Sequence, residues 1–260
     1  MSVRVHLVGA GPGAPDLLTL RAARLLAEAD VVLHDALVHP ETLALAVHAE
    51  LIDVGKRSGG VSTDQRFINR QLVSAARRFK RVVRLKGGDP MLFGRAQEEI
   101  DALSEAGFEV EVVPGVTAAL AASAELRCPL TRRGVSRSVV FATPRTGPGL
   151  DQGPGWEEAV RGVDTVALYM AGRESATTRA GLLRAGWPDS TPVVLVENAS
   201  LPNVRSVRGT LAELERLAAQ LLDGPAMLLV GHALSTESSD STDSADCTNG
   251  HPQVPAMQGG

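Results

Sequence analysis

VRVHLVGAGPGAPDLLTLRAARLLAEADVVLHD, residues 3–35, runs from one apolar stretch through a glycine-rich turn and an amphipathic segment into a second apolar stretch. Residues 3–8 read as a strand, 16–28 as a helix with apolar positions on one face, and 31–34 as a second strand. The pattern then repeats. A helix over 40–48 precedes a strand at 51–53, and Ser62 with Gln65 forms a capping box that opens a helix running to about Phe79. Strands at 82–85 and 108–113 flank a helix over 97–106, which Gly107 stops. Five short apolar strands alternating with helices specify a mainly parallel, doubly wound sheet.

The second half reads as another sheet, with strands at 138–142, 165–170, 193–197, 204–209 and 226–230. A short polar loop containing proline separates the third and fourth of these, which predicts an antiparallel hairpin and hence a mixed sheet. The expected architecture is an α/β protein of two lobes, 1–134 and 135–234, joined near residues 132–137. Residues 235–260 are polar and low in complexity and read as a disordered tail.

Aromatic residues make up only 3% of the chain and the net charge is −4. Neither stacking platforms nor a basic field for nucleic acid is present. Cys128 and Cys247 are the only cysteines, too few for a disulfide framework or a metal cluster. The histidines at 6, 34, 39, 48, 232 and 251 have no ligand spacing, so no metal is expected. With no signal peptide and no apolar run of membrane-spanning length, a soluble cytoplasmic protein is expected.

Three turns carry the functional signal. Gly9, Gly11 and Ala14 fit G-x-G-x-x-A between a strand and a helix, and Asp35 ends the next strand, as in a dinucleotide fingerprint. Pro12 and Pro15, however, remove backbone N–H donors that a pyrophosphate would need. No Gly-Lys-Ser/Thr follows, which excludes a P-loop. The second turn, Gly87-Gly88-Asp89-Pro90, offers close backbone approach and a carboxylate; the same residues also make an ordinary tight turn with Asp89 capping locally. The third, Pro114-Gly115-Val116-Thr117-Ala118-Ala119, offers a small apolar floor and a hydroxyl, although Thr117 alone reads as a helix N-cap. All three fall at the C-terminal ends of strands in one parallel sheet, where ligands bind in open α/β folds. They lack a phosphate grip, so a nucleoside without phosphates fits better than NAD. S-adenosylmethionine is such a ligand.

With these turns the chain resembles the tetrapyrrole (corrin/porphyrin) methyltransferases. The resemblance rests on VGAGPGAPDLLTLRA (8–22), ADVVLHDALV (29–38), VGKR (54–57), RVVRLKGGDPMLFGR (81–95), EVVPGVTAALAA (111–122), PLTRRGVSRSVVFAT (129–143), LYMAG (168–172), VENAS (196–200) and GTLAEL (209–214). It implies a two-lobed tetrapyrrole methylase fold, a homodimer, and S-adenosylmethionine held in the cleft between lobes. Pro12, Gly87, Gly88, Asp89, Leu92, Thr117, Ala118, Met170 and Ala199 are then the cofactor-binding residues. By itself Met170 reads as core packing at a strand end. Asp35 matches the family's proton acceptor and Lys56 its proton donor; without the resemblance they read as a turn cap and a solvated cation. PLTRRG and VENAS point to the branch that methylates uroporphyrinogen III at C2 and C7 to give precorrin-2. That substrate bears many carboxylates, so arginines at 57, 95, 132, 133 and 137 are candidates to grip it, with Arg132 and Arg133 foremost at the lobe junction.

Three positions depart from the commonest family pattern. Ala36 stands where an arginine is usual, which predicts an Asp35 carboxylate with less support as the anion. Val61 and Arg145 each replace a histidine. Rival readings are methylation of another tetrapyrrole, an NAD-dependent oxidoreductase built on the first turn, and a tetrapyrrole-binding protein without catalysis.

Overall fold

A computed structural model describes residues 4–55, 64–144, 155–172, 174–222 and 224–235. Lys56, Arg57, Val61, Ser62, Arg145, Cys247, His251 and the tail from residue 236 lie outside these. The chain forms β1 (Arg4–Gly9), α1 (Leu20–Glu28), β2 (Val31–His34), α2 (Pro40–Leu43), β3 (Glu50–Asp53), α3 (Gln65–Arg78), β4 (Arg81–Lys86), α4 (Ala96–Glu105), β5 (Glu109–Val113) and α5 (Ala118–Glu125). There follow β6 (Val139–Ala142), α6 (Trp156–Ala159), β7 (Thr165–Tyr169), α7 (Ser175–Arg184), β8 (Pro192–Glu197), β9 (Arg205–Thr210), α8 (Leu214–Ala218) and β10 (Ala226–Gly231). The α/β assignment holds, with one parallel and one mixed sheet.

The first sheet has the order β3-β2-β4-β1-β5, every pair parallel. Central strands β1, β2 and β4 are buried on both faces, as a sheet covered on both sides requires. Val5, Leu7, Leu33 and Val82 face α3 and α4, while Val8, Val32, Val83 and Leu85 face α1. The second sheet has the order β6-β7-β10-β8-β9. The expected β8–β9 hairpin is present, and β10 inserts between β7 and β8, antiparallel to both. The alanine face of α5 (Ala119, Ala121 and Ala122) packs on Ala167, Val194, Met227 and Leu229 of this second sheet. Small side chains let the helix lie close, and this contact brings the ends of the two sheets together. Among the described residues no helix is long and apolar enough to cross a membrane.

Several local expectations need correction. The helix expected over 16–28 is broken: a 3-10 turn over Pro15–Leu17 comes first, and α1 begins only after Thr19, whose hydroxyl accepts from Ala22 N at 3.1 Å. The helix expected over 40–48 is a single turn, after which Leu45, Ala46 and Ala49 each bond three residues back rather than four. The N-cap of α3 is Asp64, whose Oδ1 accepts from Arg66 N at 3.0 Å. Gln65 is the first residue of α3, and its side chain turns inward to Glu99; Ser62, the other half of the expected box, lies outside the described residues. Gly107 does end α4, with a φ of 86° and with Phe108 N bonded to Leu103 O, the paired bonds of a Schellman stop.

Candidate active site

The three turns meet backbone to backbone. Gly11 and Gly88 exchange hydrogen bonds of 3.2 and 2.7 Å, and Ala10 N donates to Lys86 O at 2.7 Å. A Cβ on Gly9 would lie 2.7 Å from both Gly115 Cα and Gly88 O. Gly9 and Gly115 are therefore glycines because loops press on them, not because a ligand does. Gly87 and Gly88 differ: a Cβ at either meets nothing within 4 Å, so this turn faces open space. Asp89 has two local tasks. Its Oδ1 accepts from Met91 N at 2.8 Å, and its Oδ2 accepts from Gly115 N at 3.0 Å, tying the second turn to the third.

Beside the turns lies a cavity of about 680 Å³ walled by both sheets' loops. Pro12, Leu37 and Ala118 come from the first half of the chain; Met170, Ala199, Leu222 and Met227 come from the second. Backbone at its edge is held in left-handed conformations at non-glycine residues: Met170 (φ 59°), Asn198 (54°) and Ser200 (73°). Such conformations persist only where the surroundings impose them, and they concentrate at ligand sites. The clasp between halves is specific. Ala14 N donates to Ser200 Oγ at 3.0 Å, and Ser200 N donates to Glu125 Oε1 at 3.1 Å.

Thr117 stands at the N-cap position of α5, yet its hydroxyl makes no cap. It lies 2.6 Å from the Tyr169 hydroxyl, which also accepts from Ala119 N at 3.4 Å. Burial pushes the Tyr169 pKa above its ordinary value, so the phenol stays neutral. Its ring contacts Phe93, with centroids 5.1 Å apart, which links the second turn to β7. Tyr169 is the only tyrosine of the chain and precedes Met170, the signal by which it could have been found.

Beneath the second turn, β4 carries two cations into the helix-covered core. Arg84 is 1% exposed and Lys86 4%, and both meet Glu99 of α4, which is fully buried. Lys86 Nζ lies 3.0 Å from each Glu99 oxygen, and Arg84 Nε lies 3.1 Å from Oε1. The same Oε1 accepts from Gln65 Nε2 at 3.3 Å. Arg84 Nη1 donates to Leu85 O at 3.0 Å, and Nη2 to Asp35 Oδ1 in a short ion pair. Burial, with repulsion from Arg84, pushes the Lys86 pKa down. Asp35 nevertheless has a cationic partner. Ala36 adds no cation, but Arg84 reaches across from the neighbouring strand and pairs with the carboxylate. Gly55 packs so tightly here that a Cβ would lie 2.0 Å from Ala36 N.

The family model for tetrapyrrole (corrin/porphyrin) methylases matches residues 4–215. The chain belongs to this family. The uroporphyrinogen-III C-methyltransferase of Pseudomonas aeruginosa is 47% identical over 233 residues, 89% of this chain and 94% of that protein. A siroheme synthase of Pseudomonas putida is 47% identical over 232 residues; these cover 88% of this chain but only 50% of the larger protein. The structure is similar to that of uroporphyrin-III C-methyl transferase from Thermus thermophilus complexed with S-adenyl homocysteine. The TM-score is 0.78 at 41% identity, covering 89% of this chain and 98% of that one.

Within this tetrapyrrole methylase, Pro12, Ala118, Met170 and Ala199 share the cavity. Met170 is not core packing: it is 44% exposed. Gly87, Gly88, Asp89 and Thr117 belong to the converging turns, and Leu92 lies in the segment after Asp89, its N bonded to Asp89 O at 3.3 Å. Asp35 sits at the end of β2, outside the cavity lining, with its side chain 31% exposed. Arg132 brackets a tight turn with Ser136, and neither it nor the exposed Arg133 lines the cavity. Arg95 is engaged by Glu98 at 2.6 Å. Arg84, Glu99 and Tyr169 were not singled out from sequence. For the first two the available signal was a pair of cations inside a central strand of a doubly covered sheet.

Proposed function

We propose that this chain transfers methyl groups from S-adenosylmethionine to C2 and C7 of uroporphyrinogen III, giving precorrin-2. The observation that carries this reading is the meeting of three phosphate-free turns beside a cavity that the first and third of them line and both halves of the chain wall. The dinucleotide alternative loses its main support. Gly9 serves loop contact, and the first turn of α1 is capped by its own Thr19 rather than offered to a pyrophosphate. The residues present fit the methyl donor. Open backbone at Gly87 and Gly88 suits a ligand's polar edge, and Asp89 retains lone pairs for hydroxyl or ammonium donors. The cavity falls within the roughly 300–1,000 Å³ usual for small-molecule sites. When bound, the cofactor supplies an electrophilic methyl on a sulfonium.

The chain's own work is alignment and proton traffic. Holding two reactants in line can be worth roughly 7–11 kcal/mol. Asp35 is the base that takes the proton lost from the methylated ring. One of its oxygens is held by Arg84, and the other accepts no hydrogen bond among the described residues. Lys56 follows Gly55, which packs on Ala36, and its positive charge balances the carboxylate of Asp35. Arg132 and Arg133 pair with substrate carboxylates. The protein acts as a homodimer in the cytoplasm, and exposed apolar side chains such as Leu20, Leu37 and Val47 offer surface for a second copy to cover.

Anaerobic incubation with uroporphyrinogen III and methyl-labelled S-adenosylmethionine, followed by mass analysis, tests the reading. A gain of two methyl groups is expected. Cofactor binding without methyl gain overturns the substrate assignment and directs the search to later corrin intermediates.

A further inference from the structure

A buried cluster of charges is poor value as a source of stability. Replacing buried ion pairs by well-packed apolar residues is often neutral or stabilising, whereas removing one partner is costly. In this fold the alternative was open, because the residues sharing that face of β4 pack with Ile68, Leu72, Ala96 and Leu103. Arg84, Lys86 and Glu99 stand amid that apolar layer instead. Among the described residues Asp35 is the charged side chain of the cluster that reaches solvent, and Arg84 is the link to it.

The donors on Arg84 are almost fully committed. Nε goes to Glu99, Nη1 to Leu85 O and, at 3.5 Å, to Leu33 O, and Nη2 to Asp35. A planar guanidinium fixed by that many acceptors has one orientation. Among the described residues Glu99 is the one acidic side chain on the inner end, and its Oε1 also gathers Lys86 and Gln65. Its neighbour Glu98 faces out and pairs with Arg95, so the two adjacent glutamates have opposite fates.

We propose that Glu99 is a positioning residue for methyl transfer: it fixes the Arg84 guanidinium, and Arg84 holds the Asp35 carboxylate in place for the ring proton. The inference rests on the reading of Asp35 given above. Glu99 touches neither substrate nor cofactor and acts through Arg84. Displacement of a reacting group by about 1 Å can cost on the order of a hundredfold in rate.

The test measures kcat at saturating cofactor and uroporphyrinogen III, together with the Kd for S-adenosylhomocysteine by calorimetry. Glu99→Gln is expected to lower kcat at least tenfold with Kd within twofold of wild type, and Glu99→Asp to recover part of the loss. Because Glu99→Gln leaves an excess buried cation and can fail to fold, the deciding variant is Lys86→Met/Glu99→Leu. It removes one charge of each sign and leaves the Arg84–Asp35 pair. If Glu99 merely balances Lys86, this variant restores kcat to within threefold of wild type, and the proposal is overturned. If Glu99 positions Arg84, kcat stays more than threefold down while the protein folds and binds cofactor. Asp35→Ala runs alongside. Wild-type turnover in Asp35→Ala removes the reading of Asp35 and the proposal with it, whereas an inactive Asp35→Ala beside a fully active double variant removes the positioning role alone.

Discussion

Glu99 and Glu197 are both fully buried, one in each half of the chain, and they are satisfied by opposite means. Glu99 is met by side chains, two of them cations, that lead to Asp35. Glu197, at the end of β8, is met by backbone: Oε1 accepts from Gly224 N at 2.9 Å and Oε2 from Leu222 N at 3.1 Å. A carboxylate that takes backbone N–H groups sets the path of a loop, here the one whose Leu222 and Gly224 wall the cavity. A carboxylate that takes guanidinium and ammonium groups sets the direction of other side chains. Glu99 thus sets side chains, and Glu197 sets a loop of the cavity wall.

That contrast breaks if the two residues fail alike. Glu197→Ala leaves two part-buried N–H groups without their carboxylate partner. Hydrogen bonds to a charged group are worth about 1.5–3 kcal/mol each, so a loss of about 3–6 kcal/mol is expected in urea unfolding. Cofactor Kd should weaken at least tenfold while kcat at saturation stays within threefold, the reverse of the pattern expected at Glu99. A Glu197→Ala protein with normal Kd and collapsed kcat would abolish the distinction.

The same contrast explains what was legible in the sequence. The parallel sheet could be read because Val5, Leu7, Val32, Leu33 and Val83 lie in short apolar runs separated by helical periods. The β8–β9 hairpin and the Gly107 stop follow from local turn chemistry. The place of β10 between β7 and β8 follows from no local rule, since it depends on pairings across the second half of the chain. At the site, the glycine turns were visible because glycine announces unusual backbone. Their division of labour was not, because whether Gly9 or Gly87 faces a neighbour or open space depends on loops far apart in sequence. Glu98 and Glu99 look identical in sequence; only the packing of α4 on β4 turns one inward. Likewise the cation beside Asp35 was sought next to it in the chain, where Ala36 stands, and it comes from the adjacent strand.

A smaller effect sharpens the comparison at the seam. The Thr117 and Tyr169 hydroxyls join the third turn to β7, one from each half. Thr117→Val and Tyr169→Phe should each cost about 1 kcal/mol of stability. Because they delete the same bond, the double variant should cost clearly less than the sum in a thermodynamic cycle. Strict additivity would mean that the two hydroxyls do not act together.

The smallest effect concerns a carboxylate that repeats the task of Glu197 at the surface. Asp164 Oδ2 accepts from Arg137 N at 2.8 Å and from Ser138 N and Oγ at 3.0 and 2.9 Å, and Ser138 Oγ accepts in turn from Asp164 N. This box fastens the start of β6 to the start of β7. Bonding from the Arg137 N–H, then from Ser138, holds the Asp164 carboxyl below its ordinary value of 3.8. The folded state therefore keeps its charge where the unfolded chain takes up a proton. The stabilisation is present above pH 3.8 and is lost as the pH falls below it toward the folded-state value. Asp164→Asn cannot titrate, so its Tm should lie below wild type by a constant interval from about pH 7 to about pH 4 and converge with it under stronger acid. An interval that persists unchanged through acid would show that the carboxylate's charge contributes nothing there. The effect should be modest because water competes for every one of these donors, and that competition is what burial spares Glu197.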